Sequence, residues 1–187
     1  MRNLELKIRC PDEAALDGIA RLAEAAGATA HGVLWQRDTY FVTPRGRLKL
    51  REERAEQDRS ASGKTGAEAS AVLIGYTRPD LTGSRMSDYS ISPIADPPTL
   101  RAALAATLGI RVVVEKRRTL YLLGATRIHL DRVVGLGAFI ELETVLGELT
   151  GDDALAAEHR RIIVLLGLDR LPVIAGSYSD LLEAAAD

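Results

Sequence analysis

The stretch that decides the fold runs Thr126-Arg-Ile-His-Leu-Asp-Arg-Val133, passes Gly135-Leu-Gly137, and returns as Ala138-Phe-Ile-Glu-Leu-Glu-Thr-Val145. Apolar side chains recur through Ile128, Leu130 and Val133 on the way out and through Ile140 and Leu142 on the way back. Polar residues fill the positions between, which is the period of a β-strand with two unlike faces. The glycine-rich link predicts a turn, so the stretch reads as a pair of neighbouring strands. Their polar faces carry Arg127, His129 and Asp131 on one leg and Glu141 and Glu143 on the other.

Outward from that pair the same alternation returns. Residues 3–9 put Asn3, Glu5, Lys7 and Arg9 on one face, and Arg47-Leu-Lys-Leu-Arg51 puts three cations on one face. Residues 34–42, 72–78 and 111–123 complete the predicted strands, with Pro44-Arg45-Gly46 as the turn before residue 47. Helices are predicted from Pro11-Asp12-Glu13 to a stop at Gly27, from Asp96-Pro-Pro to Gly109, over 152–166, and over 178–186. Residues 54–70 lack any hydrophobic period and read as a long surface loop. The predicted class is α+β, one domain over 1–187, with no internal repeat.

A charged strand face ordinarily points to water. Arg47, Lys49 and Arg51 side by side repel one another, however, unless something anionic lies among them, and Glu5/Lys7/Arg9, Lys116/Arg118 and Arg127/His129/Asp131 repeat the pattern. If the sheet closes into a barrel, the charged face turns inward around a ligand, metal or counter-charge, and the aliphatic faces turn out under the helices. Glu5, Asp131, Glu141 and Glu143 are oxygen donors suited to Mg²⁺ or Mn²⁺. Lys7, Arg47, Lys49, Arg51, Arg78, Lys116, Arg118 and Arg127 are suited to phosphate oxygens.

Composition narrows the partners. With 24 Lys+Arg against 26 Asp+Glu the net charge is -2, so no broad basic field exists to hold nucleic acid. The single Cys10 allows no internal disulfide and reads as an ordinary buried thiol. No leader-like or membrane-spanning run is seen, so the expected setting is the cytoplasm with no membrane role. His31 and His159 read as surface residues, His129 as a possible wall residue, and Ser177-Tyr178 either as a helix start or as a contact to the ligand. Gly63-Lys64-Thr65 does not form a phosphate loop, because the first glycine of that motif is absent upstream.

Taken in order, Asn3-Leu-Glu5-Leu-Lys7, Gln36-x-Asp38-Thr-Tyr40-Phe41, Leu48-Lys-Leu-Arg51, Gly75-Tyr-x-Arg78, Glu115-Lys-x-Arg118, the 128–143 block and Gly176-Ser-Tyr178 span nearly the whole chain. The series resembles the CYTH, or triphosphate tunnel metalloenzyme, superfamily, and within it the bacterial class IV adenylate cyclase-like proteins. The resemblance implies a closed eight-stranded antiparallel barrel with helices packed outside, metal on Glu5, Asp131, Glu141 and Glu143, and a triphosphate held by the basic residues. It further implies conversion of ATP to cyclic AMP and pyrophosphate, with Lys7 and Arg118 as catalytic candidates. Relatives of the family also imply the alternatives: hydrolysis of thiamine triphosphate, tripolyphosphate or a nucleoside triphosphate, or binding of such a ligand without turnover. A homodimer is compatible with it. One departure stands out, since Asn3 occupies the position of the signature's first Glu and brings an oxygen without a charge.

Overall fold

The structure, a computed structural model, describes residues 3–56, 69–77, 85–86, 88–145 and 152–185. Its strands are β1 (Asn3–Arg9), β2 (Thr29–Phe41), β3 (Arg47–Ala55), β4 (Ala69–Thr77), β5 (Arg85–Met86), β6 (Asp88–Pro93), β7 (Ile110–Leu123), β8 (Thr126–Val133) and β9 (Gly137–Val145). Its helices are α1 (Glu13–Ala25), α2 (Pro97–Leu108), α3 (Asp152–Leu165) and α4 (Tyr178–Ala184). The strands form one antiparallel sheet in the order β5-β1-β9-β8-β7-β2-β3-β4-β6. Only Ser87 separates β5 from β6 in the sequence, and with the two counted together the sheet is eight-stranded.

The sheet curls into a half-barrel, as its alternation of inward and outward residues and the irregularity in β2 between Ala30 and Val33 permit. The expected closed barrel is thus met only in part. β1 pairs with β9 along its full length, from Asn3↔Val145 to Arg9↔Phe139, but with β5 only at Leu4↔Met86 and Glu5↔Arg85. The wall on that side is narrow.

The outer face explains most of the core. Leu16, Ile19 and Ala23 of α1 and Ile162 of α3, with Leu166 just beyond it, pack on Leu6, Ile8, Ile128, Leu130, Ile140 and Leu142. Each such buried aliphatic contributes roughly 1.5–3 kcal/mol. Asp12 caps α1 by accepting from the Ala15 N–H at 2.8 Å, and Gly27 continues past its end with φ 87°.

Two expectations about the helices are corrected. They do not all cover the outside: α2 buries none of its residues, and α4 lies across one end of the half-barrel. There Tyr178 joins Tyr40, Val114, Val133 and Phe139 in a second apolar cluster. His159 is not at the surface either. It follows the spacing of Leu155, Ile162 and Leu166 on the face of α3 turned to the sheet, and is 1% exposed. Its Nδ1 lies 2.8 Å from Thr144 Oγ1, which in turn lies 2.8 Å from Thr126 Oγ1.

Several boundaries also move. β2 begins at Thr29, β3 runs to Ala55 and β4 starts at Ala69, so the predicted loop is shorter, with 57–68 outside the described residues. β5 and β6 are additional to the prediction. No helix among the described residues is long and apolar enough to cross a membrane.

Candidate functional site

The concave face of the sheet encloses a cavity of about 490 Å³. Period-two alternation delivers its lining: Lys7 from β1, Gln36 and Asp38 from β2, Lys49 and Arg51 from β3, Lys116 and Arg118 from β7, His129 from β8 and Glu141 from β9. The end under α4 is filled by the Tyr178 cluster.

On one wall, Arg118 stands directly opposite Asp131 in the β7–β8 ladder. Its Nε and Nη2 each donate to Asp131 at 2.6 Å, and Nη2 also reaches Glu141. Lys116 Nζ at 3.3 Å and the Tyr178 hydroxyl at 2.9 Å donate to Asp131 Oδ2. Lys7 Nζ lies 2.8 Å from Glu141 Oε1 and 4.1 Å from the Tyr178 ring centroid. Burial alone would raise the Asp131 and Glu141 carboxyls, but Arg118 with Lys116 beside the first, and Lys7 with Arg118 beside the second, hold both below their ordinary range. Burial, then the Arg118 charge, push the Lys116 ammonium down to about 8 and the His129 imidazole well below its usual value.

The opposite wall repeats the device. Arg51 stands opposite Asp38 in the β2–β3 ladder and donates from Nε and Nη2 at 2.7 Å, while Lys49 Nζ donates to Asp38 Oδ2 at 2.8 Å. Burial would raise the Asp38 carboxyl, yet Arg51 and Lys49 hold it well below the carboxylate range. Each wall therefore presents a Lys-x-Arg pair braced on an aspartate of the neighbouring strand.

At the end away from α4 the charge reverses. Glu5 and Glu143 face each other across the β1–β9 ladder, Glu53 lines the same region, and Arg127 Nη1 lies 3.2 Å from Glu143 Oε2. Asn3 is 4% exposed and donates its amide N–H to Glu143, while its Oδ1 has no hydrogen-bond partner. Two carboxylates directly opposed in a ladder repel one another, here with Arg127 beside Glu143, and the amide oxygen of Asn3, without a partner among the described residues, adds a hard donor. The donor chemistry here fits a divalent cation. Among the described residues, no three His, Cys, Asp or Glu side chains are gathered as they stand into a metal-holding group.

The structure thus gathers Lys7, Lys49, Arg51, Lys116 and Arg118 with Glu141 around one cavity, with Glu5, Glu143 and Arg127 at its open end. Two positions differ from the sequence-based expectation. Asp131 is fully buried behind Arg118 with both oxygens engaged, and Arg47 is turned to α4, donating to Ser177 Oγ at 2.6 Å and pairing with Asp180 at 2.9 Å. Arg78 lies outside the described residues. Ser177 is the N-cap of α4, as its reading as a helix start has it, and it also borders the cavity. Asp38 was missed as a site residue, although Gln36, Asp38 and Tyr40 in phase on one strand carried the signal.

The family model of the CYTH domain matches residues 1–178. The chain belongs to the CYTH domain family. Solved structures agree on the fold. The PH1819 protein of Pyrococcus horikoshii superposes with a TM-score of 0.74 at 21% identity, covering 98% of this chain and 99% of that one. A proposed adenylate cyclase of Vibrio parahaemolyticus gives 0.65 at 18% identity, covering 97% of each chain. The capping enzyme triphosphatase of Mimivirus gives 0.54 at 11% identity, covering 89% of each. These neighbours of the CYTH chain share its architecture. None of the curated proteins matches it.

Proposed function

We propose that this CYTH protein binds a triphosphate-bearing small molecule in the curled sheet and, with Mg²⁺ or Mn²⁺, catalyses transfer at one of its phosphorus atoms, in the first reading as an adenylate cyclase-like enzyme. The carrying observation is the charge balance around the cavity. Among the described residues, Lys7, Lys49, Arg51, Lys116 and Arg118 pair there with Asp38, Asp131 and Glu141, and Arg51 also lies 3.8 Å from Glu53, while Glu5, Glu143 and Arg127 stand at the open end. An interior excess of cations is stable only beside an anion, and an acidic rim next to it suits the cation that accompanies a polyphosphate.

Glu5, Glu143 and the Asn3 carbonyl oxygen would hold the metal, which when bound neutralises phosphate oxygens and favours in-line displacement. The rest falls to the chain. Arg51 and Arg118, each braced by a carboxylate, present fixed donors to phosphate oxygens from opposite walls. Their placement supplies the orientation and charge stabilisation that dominate phosphoryl transfer. Lys7 serves as a charge donor rather than a base, since its ammonium is paired with Glu141 at 2.8 Å. In the cyclase reading a ribose 3′-hydroxyl oxygen bonds to the α-phosphorus, the bond to the bridging oxygen breaks, pyrophosphate leaves, and the hydroxyl proton passes to solvent water. Segment 85–93, pairing with β1 at one end and β4 at the other, would close the wall around the bound molecule.

The test is incubation with Mn²⁺ or Mg²⁺ and ATP, GTP, thiamine triphosphate or tripolyphosphate, with an Arg118→Ala control and products separated by chromatography. Cyclic nucleotide with pyrophosphate, lost in the control, is the expected result. Orthophosphate would replace the cyclase reading by a triphosphatase. Binding without turnover would leave a sensor, and absence of binding would overturn the triphosphate reading itself.

A further inference from the structure

Immediately outward of the Arg118 grip the cavity changes character. Leu34 pairs with Arg118 across the β2–β7 ladder, and Leu120 is the next inward residue along β7. These aliphatic side chains border the open half of the cavity, whose lining also includes Ile74, Tyr89 and Ile91 beside the charged groups. Beside them are two polar groups with unmet hydrogen-bonding capacity. Gln36 is 5% exposed; its Nε2 donates to Glu53 at 2.5 Å, which turns its carbonyl oxygen away from that carboxylate, and Oε1 has no partner among the described residues. His129 is 7% exposed, pairs across the ladder with Leu120, and its Nδ1 makes no hydrogen bond, the nearest carboxylate oxygen being 3.9 Å away.

A buried amide oxygen without a partner costs about 1–3 kcal/mol, so a site that retains one gains by offering it to a ligand's donor. An inorganic polyphosphate has no N–H donor and no apolar surface for Leu34 and Leu120. The cavity volume also falls in the range of sites that hold a whole organic ligand.

We infer that the substrate carries an organic, nucleobase-like group that lies on Leu34 and Leu120 and donates a hydrogen bond to Gln36 Oε1, with His129 Nδ1 as its second polar contact. This inference rests on the triphosphate reading above and adds that Gln36 is a specificity residue for the organic end. It excludes inorganic tripolyphosphate as the preferred ligand.

The experiment is calorimetric titration of the full chain, with Mg²⁺ held constant, by ATP, GTP, thiamine triphosphate and sodium tripolyphosphate, repeated on Gln36→Met and Leu120→Ala. The readout is the ratio of the tripolyphosphate Kd to the Kd of each organic triphosphate. At least one organic ligand is expected to bind more tightly than tripolyphosphate, and Gln36→Met to lower its ratio by about 3- to 10-fold, the worth of one hydrogen bond. Leu120→Ala should lower the same ratio through lost apolar contact, a check that does not depend on the Gln36 variant folding. Tripolyphosphate binding as tightly as every organic ligand, or unchanged ratios in both variants, would overturn the inference while leaving the triphosphate reading intact. No binding of any of the four by the wild type would overturn both.

Discussion

The two halves of the sheet carry the same inner device on unequal support. Strands β1, β7, β8 and β9 are backed by α1 and α3 and hold the large aliphatic core. Strands β2, β3, β4 and β6 have α2 near them, which buries nothing, and they leave Trp35, Val42 and Ile91 at least a third exposed. Yet Arg118 on Asp131 and Arg51 on Asp38 are near copies in register and distance. The covered half adds a second carboxylate, Glu141, shared between Arg118 and Lys7. Polar preorganisation and apolar support are thus separable here: the grip on each wall comes from strand register, while stability comes mainly from one wall.

The largest expected difference follows from the shared carboxylates. Arg118→Ala removes the main cation beside Asp131 and the second cation beside Glu141, and loss of one partner of a buried ion pair typically costs about 3–5 kcal/mol. Arg51→Ala leaves Asp38 still held by Lys49 in the thinly covered wall and should cost about 1–3 kcal/mol. Urea unfolding of both variants checks this, and equal losses would erase the distinction between the walls.

On the outer faces, Ile162→Ala empties a fully buried position between α3 and the sheet and should cost about 2–5 kcal/mol. Leu104→Ala on α2 removes a side chain from a helix that buries none of its residues, and should cost under about 1 kcal/mol. If thermal melting shows the α2 substitution to be as damaging, the second half is better supported than its burial shows.

Acid should act first on the covered half. Burial pushes the His159 imidazole from 6.5 down to about 4. The unfolded chain takes up a proton below about pH 6.5 while the folded chain resists until about pH 4, so stability falls as pH drops through that window, by up to roughly 3 kcal/mol. Urea unfolding from pH 7 to 4 should show that loss on top of the one from buried His129, and His159→Gln should remove the His159 share of it. An unchanged slope in the variant would move the acid sensitivity elsewhere.

How much of this was legible in sequence depends on which force set each element. The β8–β9 pair, β1 and the Lys-x-Arg strands announced themselves because one face of each is uniformly apolar or charged, and the ladder then fixes which partners meet. β5 has only two residues, and β6 alternates through Tyr89 and Ile91 over just six residues ending at Pro93, so both owe their place to pairing with distant strands, which local pattern does not encode. Asp38 was visible as a residue but not as a brace, because its role comes from β2 lying beside β3. His159 was misread because one histidine was weighed alone, although its spacing with Leu155 and Ile162 marks the packed face of α3.

The smallest expected effect tests the rim of the covered half, where β1 and β9 bring Asn3, Glu5 and Glu143 together. Asn3 spends its N–H on Glu143 and leaves its carbonyl oxygen without a protein partner. Replacing it by Glu removes that donor and adds a third carboxylate to a rim whose described cation is Arg127. In metal-free protein this should cost on the order of 1 kcal/mol through like-charge repulsion. The same charge favours a divalent cation, so the Mn²⁺ affinity of Asn3→Glu, followed by paramagnetic resonance, should rise about tenfold, a gain of about 1.4 kcal/mol. Both changes have one origin, crowded oxygen donors, and should appear together. Lower stability without tighter Mn²⁺ binding would mean that the rim is an acidic surface and not the metal-holding end of the cavity. The asymmetry between the two halves would then be one of packing alone.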